Sequence, residues 1–358
     1  MTESDTPRDS SLKNSDIAEL LAVAADTAKM PLQKALRRAS RKAFLWPEEA
    51  ALIVEQGRSL TELPAVGPTL NRMIRAWIDT PPPVPEPPDI RRGFLTATEA
   101  HAAIAKARSM QQVKGDLQMH THWSDGSGAI EDMARSAISR GYEYIAVTDH
   151  TKGLNIAGGI NEVQLLRQAE EIAEVNETLR TEGVRFQVLR SAELNLDPRG
   201  QGDMDSRALA KLDIVLACFH SSLRKKEDQT DRYLAALRNP DIHIIGHPRG
   251  RIYNYRLGLS ADWPRVFDLA AELDKAVEID GYPDRQDLNV DLLKLAKKAG
   301  CRISLGTDAH DPLQLRFMDY SLAAALKARI SRDRILNFMS TAELKQWAAS
   351  LRETQKAA

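Results

Sequence analysis

The middle of the chain alternates between short apolar runs and longer stretches in which apolar residues recur at helical spacing. The apolar runs predict seven strands, at Asp116–His122, Tyr144–Thr148, Phe186–Glu193, Asp213–His220, Ile242–His247, Ala276–Ile279 and Arg302–Gly306. The stretches between them predict helices at Ile130–Arg140, Glu162–Thr181, Ser206–Leu212, Asp231–Leu237, Pro264–Leu273 and Leu288–Ala299. Strands that alternate with helices are typical of parallel βαβ units, closed as a barrel or left as an open sheet.

The first part of the chain has a different pattern. Residues 1–14 are polar and are predicted to be disordered, whereas residues 15–79 have apolar positions at helical spacing, with Ser15 as the first helix cap. Residues 80–88 hold six prolines in nine positions, a composition that favours extended polyproline II structure. We therefore predict a small all-α domain at 15–79, a linker at 80–93 and an α/β domain at 94–358.

Composition limits the compartment and the partners. The 49 basic and 50 acidic side chains leave a net charge of -1, which excludes a strongly basic coat for nucleic acid but allows a local basic patch. Two cysteines, Cys218 and Cys301, cannot build a disulfide framework and fit a reducing compartment. No apolar run approaches the roughly 18 residues of a membrane span, and the polar start has no apolar signal segment. The chain is predicted to be cytoplasmic, with no membrane partner.

The carboxyl ends of the predicted strands carry most of the ligand-type side chains. Six of the eight histidines lie there, and the H-x-H and D-x-H pairs are spaced to share one face of a strand. In an α/β barrel the loops at this end converge on one mouth, where active sites form. The pattern therefore favours a closed barrel with a metal site at its mouth. The candidate ligands are His120, His122, Asp125, His150, Glu193, His220, His247, Asp308 and His310.

Imidazole and carboxylate ligands without a thiolate suit zinc, manganese or iron. The nine candidates are too many for one ion, whereas three ions at three or four ligands each would use them all. Asp149 precedes His150 and is predicted to orient a ligand. Cys218 lies in an apolar run and is predicted to be core, and Asp203 and Asp205 are predicted to cap a helix. His243 lies outside the pattern and is predicted to be structural.

The residues around these ligands resemble the successive motifs of a known family. In chain order they are GDLQMHTHWSDG, YIAVTDH, SAELN, CFHSS, GHPRGR, AVEIDGYPDRQDL and SLGTDAHDPLQLRFMD. They are similar to the PHP (polymerase and histidinol phosphatase) domain, in the version at the C-terminus of bacterial family X DNA polymerases. The resemblance spans about residues 112–350. It implies a distorted (β/α)7 barrel and a trinuclear metal centre, with ligand positions that correspond to the nine residues above.

By this resemblance, three divalent ions (zinc, manganese or iron) share the ligands. One ion is expected on His120, His122, Glu193 and Asp308, a second on Glu193, His220 and His247, and a third on Asp125, His150 and His310. Glu193, Asp308 and His310 are assigned as catalytic residues on this basis. Arg249, Arg251, Arg285 and Arg316 closely follow motif residues and are predicted to bind phosphate oxygens.

The helical region resembles the small domain that opens the same polymerases. Leu63–Gly67 is similar to its helix-hairpin-helix turn, which offers backbone N–H groups to a DNA phosphate, so Ala65 and Gly67 are predicted to bind DNA. Ala65 stands where that motif usually has its first glycine. Met73 falls where some members have a Schiff-base lysine, so no lyase activity is expected. Only about 35 residues separate Ile78 from Gly115, which is too few for a polymerase palm.

The resemblance predicts a metal-dependent phosphoesterase acting on DNA, as a 3′–5′ exonuclease or an enzyme of abasic-site or 3′-end processing. In the expected chemistry, metal-bound hydroxide attacks phosphorus in line. Two alternatives remain. One is a small-molecule phosphatase of the histidinol-phosphatase type, and the other is a DNA-binding adaptor with an inactive barrel, against which the intact ligand set argues.

Overall fold

A computed structural model describes residues 11–107 and 112–357, without the side chains of residues 354–357. Residues 1–10, most of the segment predicted to be disordered, lie outside the described residues. The chain divides into two compact units, Met1–Ala102 and Ala103–Ala358. The division falls within a helix, Ala97–Lys106, whereas the linker at 80–93 stays a prediction.

The first unit is helical. Its helices are α1 (Asn14–Thr27), α2 (Leu32–Ala43), α3 (Ala50–Glu55) and α4 (Pro68–Asp79), followed by the start of α5 (Ala97–Lys106). Helix α1 begins at Asn14 and is not capped by Ser15, because the buried Asn14 side chain bonds to the start of α3. It donates to the Glu48 carbonyl at 2.9 Å and accepts from Ala50 N at 2.9 Å. Order therefore begins inside the segment predicted to be disordered.

The end of the predicted linker packs within this first unit. Arg91 forms an ion pair with Glu19 of α1 at 2.7 Å, and both side chains are largely buried. The Ala97 backbone N–H donates to the Phe44 carbonyl at 2.9 Å. These contacts explain why the compact unit extends past the proline-rich segment.

The second unit is built from parallel strands and surrounding helices. The strands are β1 (Gly115–Asp116), β2 (Tyr144–Val147), β3 (Gln187–Arg190), β4 (Glu193–Leu196), β5 (Leu216–Phe219), β6 (Ile244–Ile245), β7 (Ala276–Asp280) and β8 (Arg302–Gly306). The helices are α6 (Ile130–Ser139), α7 (Glu162–Thr181), α8 (Ser206–Leu209), α9 (Thr230–Arg238), α10 (Trp263–Glu272), α11 (Val290–Ala299), α12 (Met318–Lys327) and α13 (Thr341–Ala357). Within the described residues, no helix is long and apolar enough to span a membrane.

Two bridges join the strands into one ring. The strands pair in parallel in the orders β1-β2-β3 and β4-β5-β6-β7-β8. The bridge between His150 and Glu193 joins β2 to β4, and the bridge between Met119 and Ala309 joins the first strand to the last. Strands β3 and β4 are two parts of one stretch, interrupted at residues 191–192. The predicted α/β barrel is confirmed, with its third strand broken in two.

Apolar side chains fill the end of the barrel at which the strands begin. Tyr144, Leu216 and Ala276 from the strands pack in one core cluster with Leu344 and Trp347 of α13. Because α13 covers this end, the polar strand ends at the opposite mouth are left as the site for chemistry.

His243 is buried at the covered end and has the structural role predicted for it. Its Nδ1 accepts from Val215 N at 3.0 Å, and its Nε2 lies 3.1 Å from the Ala348 carbonyl oxygen. The ring therefore links the start of β5 and helix α13 to β6, which begins at the next residue.

Candidate metal centre

Glu193 lies at the centre of a histidine cluster at the barrel mouth. One carboxylate oxygen lies 2.8 Å from His220 Nε2 and 2.9 Å from His247 Nε2. The other lies 3.2 Å from His120 Nε2 and 3.7 Å from His150 Nδ1. Because β4 begins at Glu193, this one buried carboxylate faces imidazoles from four other strand ends.

A second group of ligand-type side chains adjoins the first through His120. His120 Nε2 lies 3.0 Å from Asp308 Oδ1, and the His120 ring stacks against those of His150 and His310 at centroid distances of 4.3 and 4.4 Å. Asp125 Oδ1 lies 3.3 Å from His310 Nε2 and 3.6 Å from His150 Nε2. The structure thus brings together all the predicted ligands except His122.

His122 lies apart from this cluster. Its side chain is 48% exposed, and its Nε2 lies 3.8 Å from Glu171 Oε2 of α7. Sequence spacing predicted that His120 and His122 share one face of a strand. That prediction is wrong because the strand ends before His122, which begins a turn over residues 122–125. Its role as a metal ligand stays a prediction.

The donor atoms at the mouth fit divalent metal ions. Nδ1 of His120 and Nδ1 of His150 are buried without a hydrogen-bond partner, although buried polar atoms are normally paired. Imidazole and carboxylate donors are those that zinc, manganese and iron accept. The side chains form four overlapping sets, and within each set the possible ligand atoms lie within 4.8 Å of one another. The sets are His120, Asp125, His150 and His310; His150, Glu193 and His220; Glu193, Cys218 and His247; and His120, Glu193 and Asp308.

Burial and neighbouring charges set the protonation of these groups. Burial opposes the charge of Glu193, but the imidazoles around it outweigh burial and hold the pKa of this carboxyl well below its usual value. Burial also opposes the charge of Asp308, but Arg285 keeps the pKa of Asp308 below its usual range. Burial lowers the pKa of His150 to about 3. Its ring is therefore neutral at neutral pH, the form that binds a metal.

We expect metal binding to displace a proton from His120. Burial opposes the charge of this ring, but hydrogen bonds to Asp308 and Glu193 outweigh it and raise the pKa of His120 well above 6.5. The metal-free ring is therefore protonated at neutral pH, and a bound ion must expel that proton. Zinc affinity should rise about tenfold per pH unit for each proton released. Calorimetric titration in buffers of different ionisation enthalpy measures the release, and heats independent of the buffer would contradict it.

Two side-chain amides form hydrogen bonds to predicted metal ligands, and sequence reasoning missed both. Gln118 Nε2 donates to Glu193 Oε2 at 3.1 Å, and Asn195 Oδ1 lies 3.0 Å from His220 Nδ1. A hydrogen bond at Nδ1 leaves the Nε2 lone pair of His220 free for a metal. Residue spacing could have indicated both amides. Gln118 and Asn195 each lie two residues from a predicted ligand and so share its face of the strand.

A fully buried carboxyl, Glu278 of β7, supports His247. Its Oε2 accepts from the His247 backbone N–H at 2.7 Å. His247 has φ +23°, outside the usual range of a residue with a side chain, and this hydrogen bond helps to hold it there. Burial, and next the Asp280 carboxyl, raise the pKa of Glu278 well above its usual value. Sequence reasoning also missed this role.

Asp149 anchors the loop that leads to Asp125. Its carboxylate accepts from Thr121 N at 2.8 Å, Thr121 Oγ1 at 2.6 Å, Ser124 Oγ at 2.5 Å and Gln168 Nε2 at 2.6 Å. These contacts agree with the prediction that Asp149 orients a ligand, and they act through the loop between His120 and Asp125.

The paired aspartates have separate roles. Asp205 accepts from Arg207 N at 2.8 Å and caps α8, as predicted. Asp203 instead accepts from Thr151 Oγ1 at 2.6 Å and so fixes the loop after β2. Cys218 is fully buried in the core, as predicted, and burial raises the pKa of its thiol.

The arginines predicted to bind phosphate differ in position. Arg285 lies beside the predicted ligand Asp308, which its Nη1 contacts. Arg316 is exposed, with its guanidinium 5.7 Å from the centroid of the Phe317 ring. A role in phosphate binding stays a prediction for both residues.

The other two arginines brace the loops around the mouth. Arg251 is 2% exposed and donates to the carbonyls of Arg285 at 2.9 Å and Gln286 at 2.7 Å, which corrects its prediction as a phosphate ligand. Arg249 donates to the carbonyls of residues 257 and 259 at 2.9 and 3.3 Å. Both side chains use their N–H groups on backbone oxygens.

The helical unit has a tight turn at the position predicted for the hairpin. A single 3₁₀ turn at Leu60–Glu62 leads to Gly67, the N-cap of α4. Ala65 has φ +67°, the left-handed conformation that favours glycine. An alanine in this conformation strains the backbone. The buried Trp46 donates from Nε1 to the Pro64 carbonyl at 3.1 Å and anchors the turn. DNA contact by Ala65 and Gly67 stays a prediction.

Comparison with known proteins identifies the barrel. Residues 116–348 match the family model of the PHP domain. The chain is 35% identical over 255 residues to the DNA polymerase/3′-5′ exonuclease PolX of Bacillus subtilis (strain 168), a match that covers 71% of this chain and 44% of that protein. It is 30% identical over 235 residues to a probable phosphatase of Thermoanaerobacter sp. (strain X514), covering 62% of this chain and 89% of that one.

Among solved structures, the histidinol phosphate phosphatase of Lactococcus lactis, complexed with zinc, L-histidinol and phosphate, matches 68% of this chain and 93% of its own. The identity is 19% and the TM-score 0.40. The chain spans less than half the length of the Bacillus relative. The resemblance predicted from the motifs is confirmed, and the chain belongs to the PHP domain family.

Proposed function

We propose that this protein is a metal-dependent phosphoesterase that acts on DNA, as a 3′–5′ exonuclease or an enzyme of abasic-site or 3′-end processing. Membership of the PHP family supports the class, a metal-dependent hydrolase. The observation that carries the proposal is the mouth of the barrel, where the buried Glu193 carboxylate faces imidazoles from four strand ends.

The side chains at the mouth form sets that would hold three divalent ions. The first is His120, Glu193 and Asp308, to which we add His122 although its side chain lies apart from them. The second is Glu193, His220 and His247, and the third is Asp125, His150 and His310. Bound ions of this kind lower the pKa of water and neutralise charge on a phosphate. Glu193 belongs to two sets and would set their spacing. Arg285, beside Asp308, is placed to orient a phosphate oxygen with a charge-assisted hydrogen bond.

Three features of the chain support DNA as the substrate. Helix α2 exposes Lys34, Arg37, Arg38, Arg41 and Lys42, a basic face for a phosphate backbone. The hairpin turn precedes the N-terminus of α4, which no described side chain caps, and an uncapped helix N-terminus favours an anion. The Bacillus relative is named as a 3′-5′ exonuclease.

The alternative is a small-molecule phosphatase. It is favoured by the Thermoanaerobacter relative, which this chain covers over 89% of its length although it is named only as a probable phosphatase. Purified protein loaded with zinc or manganese should be assayed on nicked, abasic and 3′-phosphate duplexes and on histidinol phosphate. Release of nucleotides or 3′-phosphate supports the proposal. Turnover of histidinol phosphate alone would replace it with the alternative.

We expect Arg285→Ala to lower kcat/KM on DNA by roughly 10- to 100-fold, the loss of one hydrogen bond to a charged group. Arg285→Lys should recover part of the activity because the charge is kept without the planar fork. Metal content should be measured alongside, since Arg285 also touches Asp308. Exposed Arg180 of α7 is the matched control. If Arg285→Ala and Arg180→Ala were equally active, Arg285 would have no part in phosphate binding.

A further inference from the structure

Two loops beside the metal centre form an aromatic and basic rim, made of Arg224, Lys225 and Lys226 after β5 and Tyr255 after β6. The first loop starts at His220 and the second at His247, and the rings of these two ligands lie 5.4 Å apart. Both loops therefore rise from the barrel mouth, next to the atoms that would hold the metal.

The rim is an ordered structure. The guanidinium carbon of Arg224 lies 4.6 Å from the centroid of the Tyr255 ring, and Nη1 donates to the Tyr255 carbonyl at 3.3 Å. The second loop is closed by a bridge between Ile252 and Arg256, with N–O distances of 2.8 and 2.9 Å. The buried Tyr253 donates its backbone N–H to the Asp284 carbonyl at 2.7 Å. Arg224 thus packs on a ring that the loop already holds in place.

Exposure and charge leave the rim available to a ligand. Tyr255 is 54% exposed, and Arg224, Lys225 and Lys226 are all exposed. Glu227 and Asp228 follow, but Asp228 accepts from Thr230 N at 2.9 Å at the start of α9. An exposed aromatic ring among cations is the arrangement that binds single-stranded nucleic acid, in which a base stacks on the ring and the phosphates lie along the cations.

We propose that the rim binds the single-stranded nucleotides next to the scissile phosphate of a DNA substrate. A base stacks on the Tyr255 face opposite Arg224, while Lys225 and Lys226 contact the adjoining phosphates. This inference rests on the proposed action on DNA and deepens it, because the rim would make the enzyme prefer single-stranded DNA. A small phosphoester has no base to place there, so the rim does not contribute to its turnover.

The test compares full-length variants loaded with the same metal. Tyr255→Ala should raise KM for a short single-stranded oligonucleotide by about tenfold, as the loss of one stacked base predicts. Arg224→Ala should raise KM by a smaller factor because the Tyr255 ring remains. Tyr255→Phe should keep the wild-type KM because the ring remains. The rate on bis-p-nitrophenyl phosphate should not change. Leu295→Ala, a loss of exposed apolar surface on the outer helix α11, is the matched control.

Binding is measured separately from cleavage, with an oligonucleotide that carries a fluorescent base analogue and phosphorothioate linkages that slow turnover while the metal centre stays intact. Stacking on Tyr255 should quench the analogue, and Tyr255→Ala should abolish the quenching. Wild-type levels of binding and KM in Tyr255→Ala would overturn the rim proposal while DNA cleavage by the wild type still supports the proposed function. If the wild type neither cleaves nor binds the oligonucleotide, both proposals are rejected.

Discussion

Glu193→Ala should abolish hydrolysis and remove most of the bound metal. The Glu193 carboxylate contacts His120, His150, His220 and His247, and no other described side chain in the cluster contacts as many of the ligand rings. Its loss would leave two of the proposed ion sites short of a ligand and their spacing undefined. We expect turnover to fall by at least roughly 10²- to 10³-fold, the loss seen when a single charge-stabilising group is removed from an active site.

His243→Ala separates this effect from damage to the fold. Its ring is as deeply buried as Glu193 but lies at the covered end of the barrel, where it bonds to Val215 and Ala348. The substitution should lower the melting temperature and leave metal content and turnover of the folded protein almost unchanged. Both variants should be compared by elemental analysis and by the rate on bis-p-nitrophenyl phosphate. Equal losses in the two variants would mean that Glu193 has only a structural role.

Much of the barrel and of its mouth follows from the sequence because both depend on a repeated pattern. Each apolar run predicts a buried parallel strand, and the polar residue that ends it must lie at the common mouth. This reasoning placed Glu193, His220 and His247 together although 54 residues separate the first from the last. Position relative to the strand end, not local sequence, made these residues predictable.

The failed predictions concern residues whose position depends on local backbone geometry. The alternation rule for His122 assumes a continuing strand, but the chain turns at residues 122–125. Arg251 follows a motif and carries a charge, and only the fold shows that carbonyls surround it. The order at Asn14 depends on hydrogen bonds with residues more than thirty positions away. Periodicity does not report contacts of this kind.

The Glu278 carboxyl illustrates a further limit. It lies one residue before the end of a predicted strand, yet its carboxylate accepts from the backbone of His247 and does not join the cluster of rings. A Cβ at position 306 would meet its second oxygen and the Cβ of Gln118, so the glycine leaves room for both side chains. Strand-end position alone therefore does not distinguish a ligand from the residue that positions it.

Removing three charges from α2 should weaken DNA binding and flatten its dependence on salt, while the reaction at the barrel is unaffected. Arg37, Arg38 and Arg41 are exposed on α2, and their replacement by Gln keeps side-chain length without the charge. Each phosphate contact contributes about 0.9 to the slope of log binding constant against log salt, so the slope should fall by roughly 2 to 3. The rate on bis-p-nitrophenyl phosphate should stay at the wild-type value.

The matched control removes the same charge from the barrel surface. Lys294, Lys297 and Lys298 are exposed on α11, and their replacement by Gln should leave the salt slope nearly unchanged if the helical unit is the DNA anchor. Fluorescence polarisation with a duplex between 50 and 200 mM salt, about the range over which phosphate contacts show clearly, measures both variants. If the slope of log binding constant against log salt falls equally in the two triple variants, α2 contributes to binding only through the net charge of the protein. The helical unit would then not anchor DNA, and the small-molecule phosphatase would become the better account of the barrel.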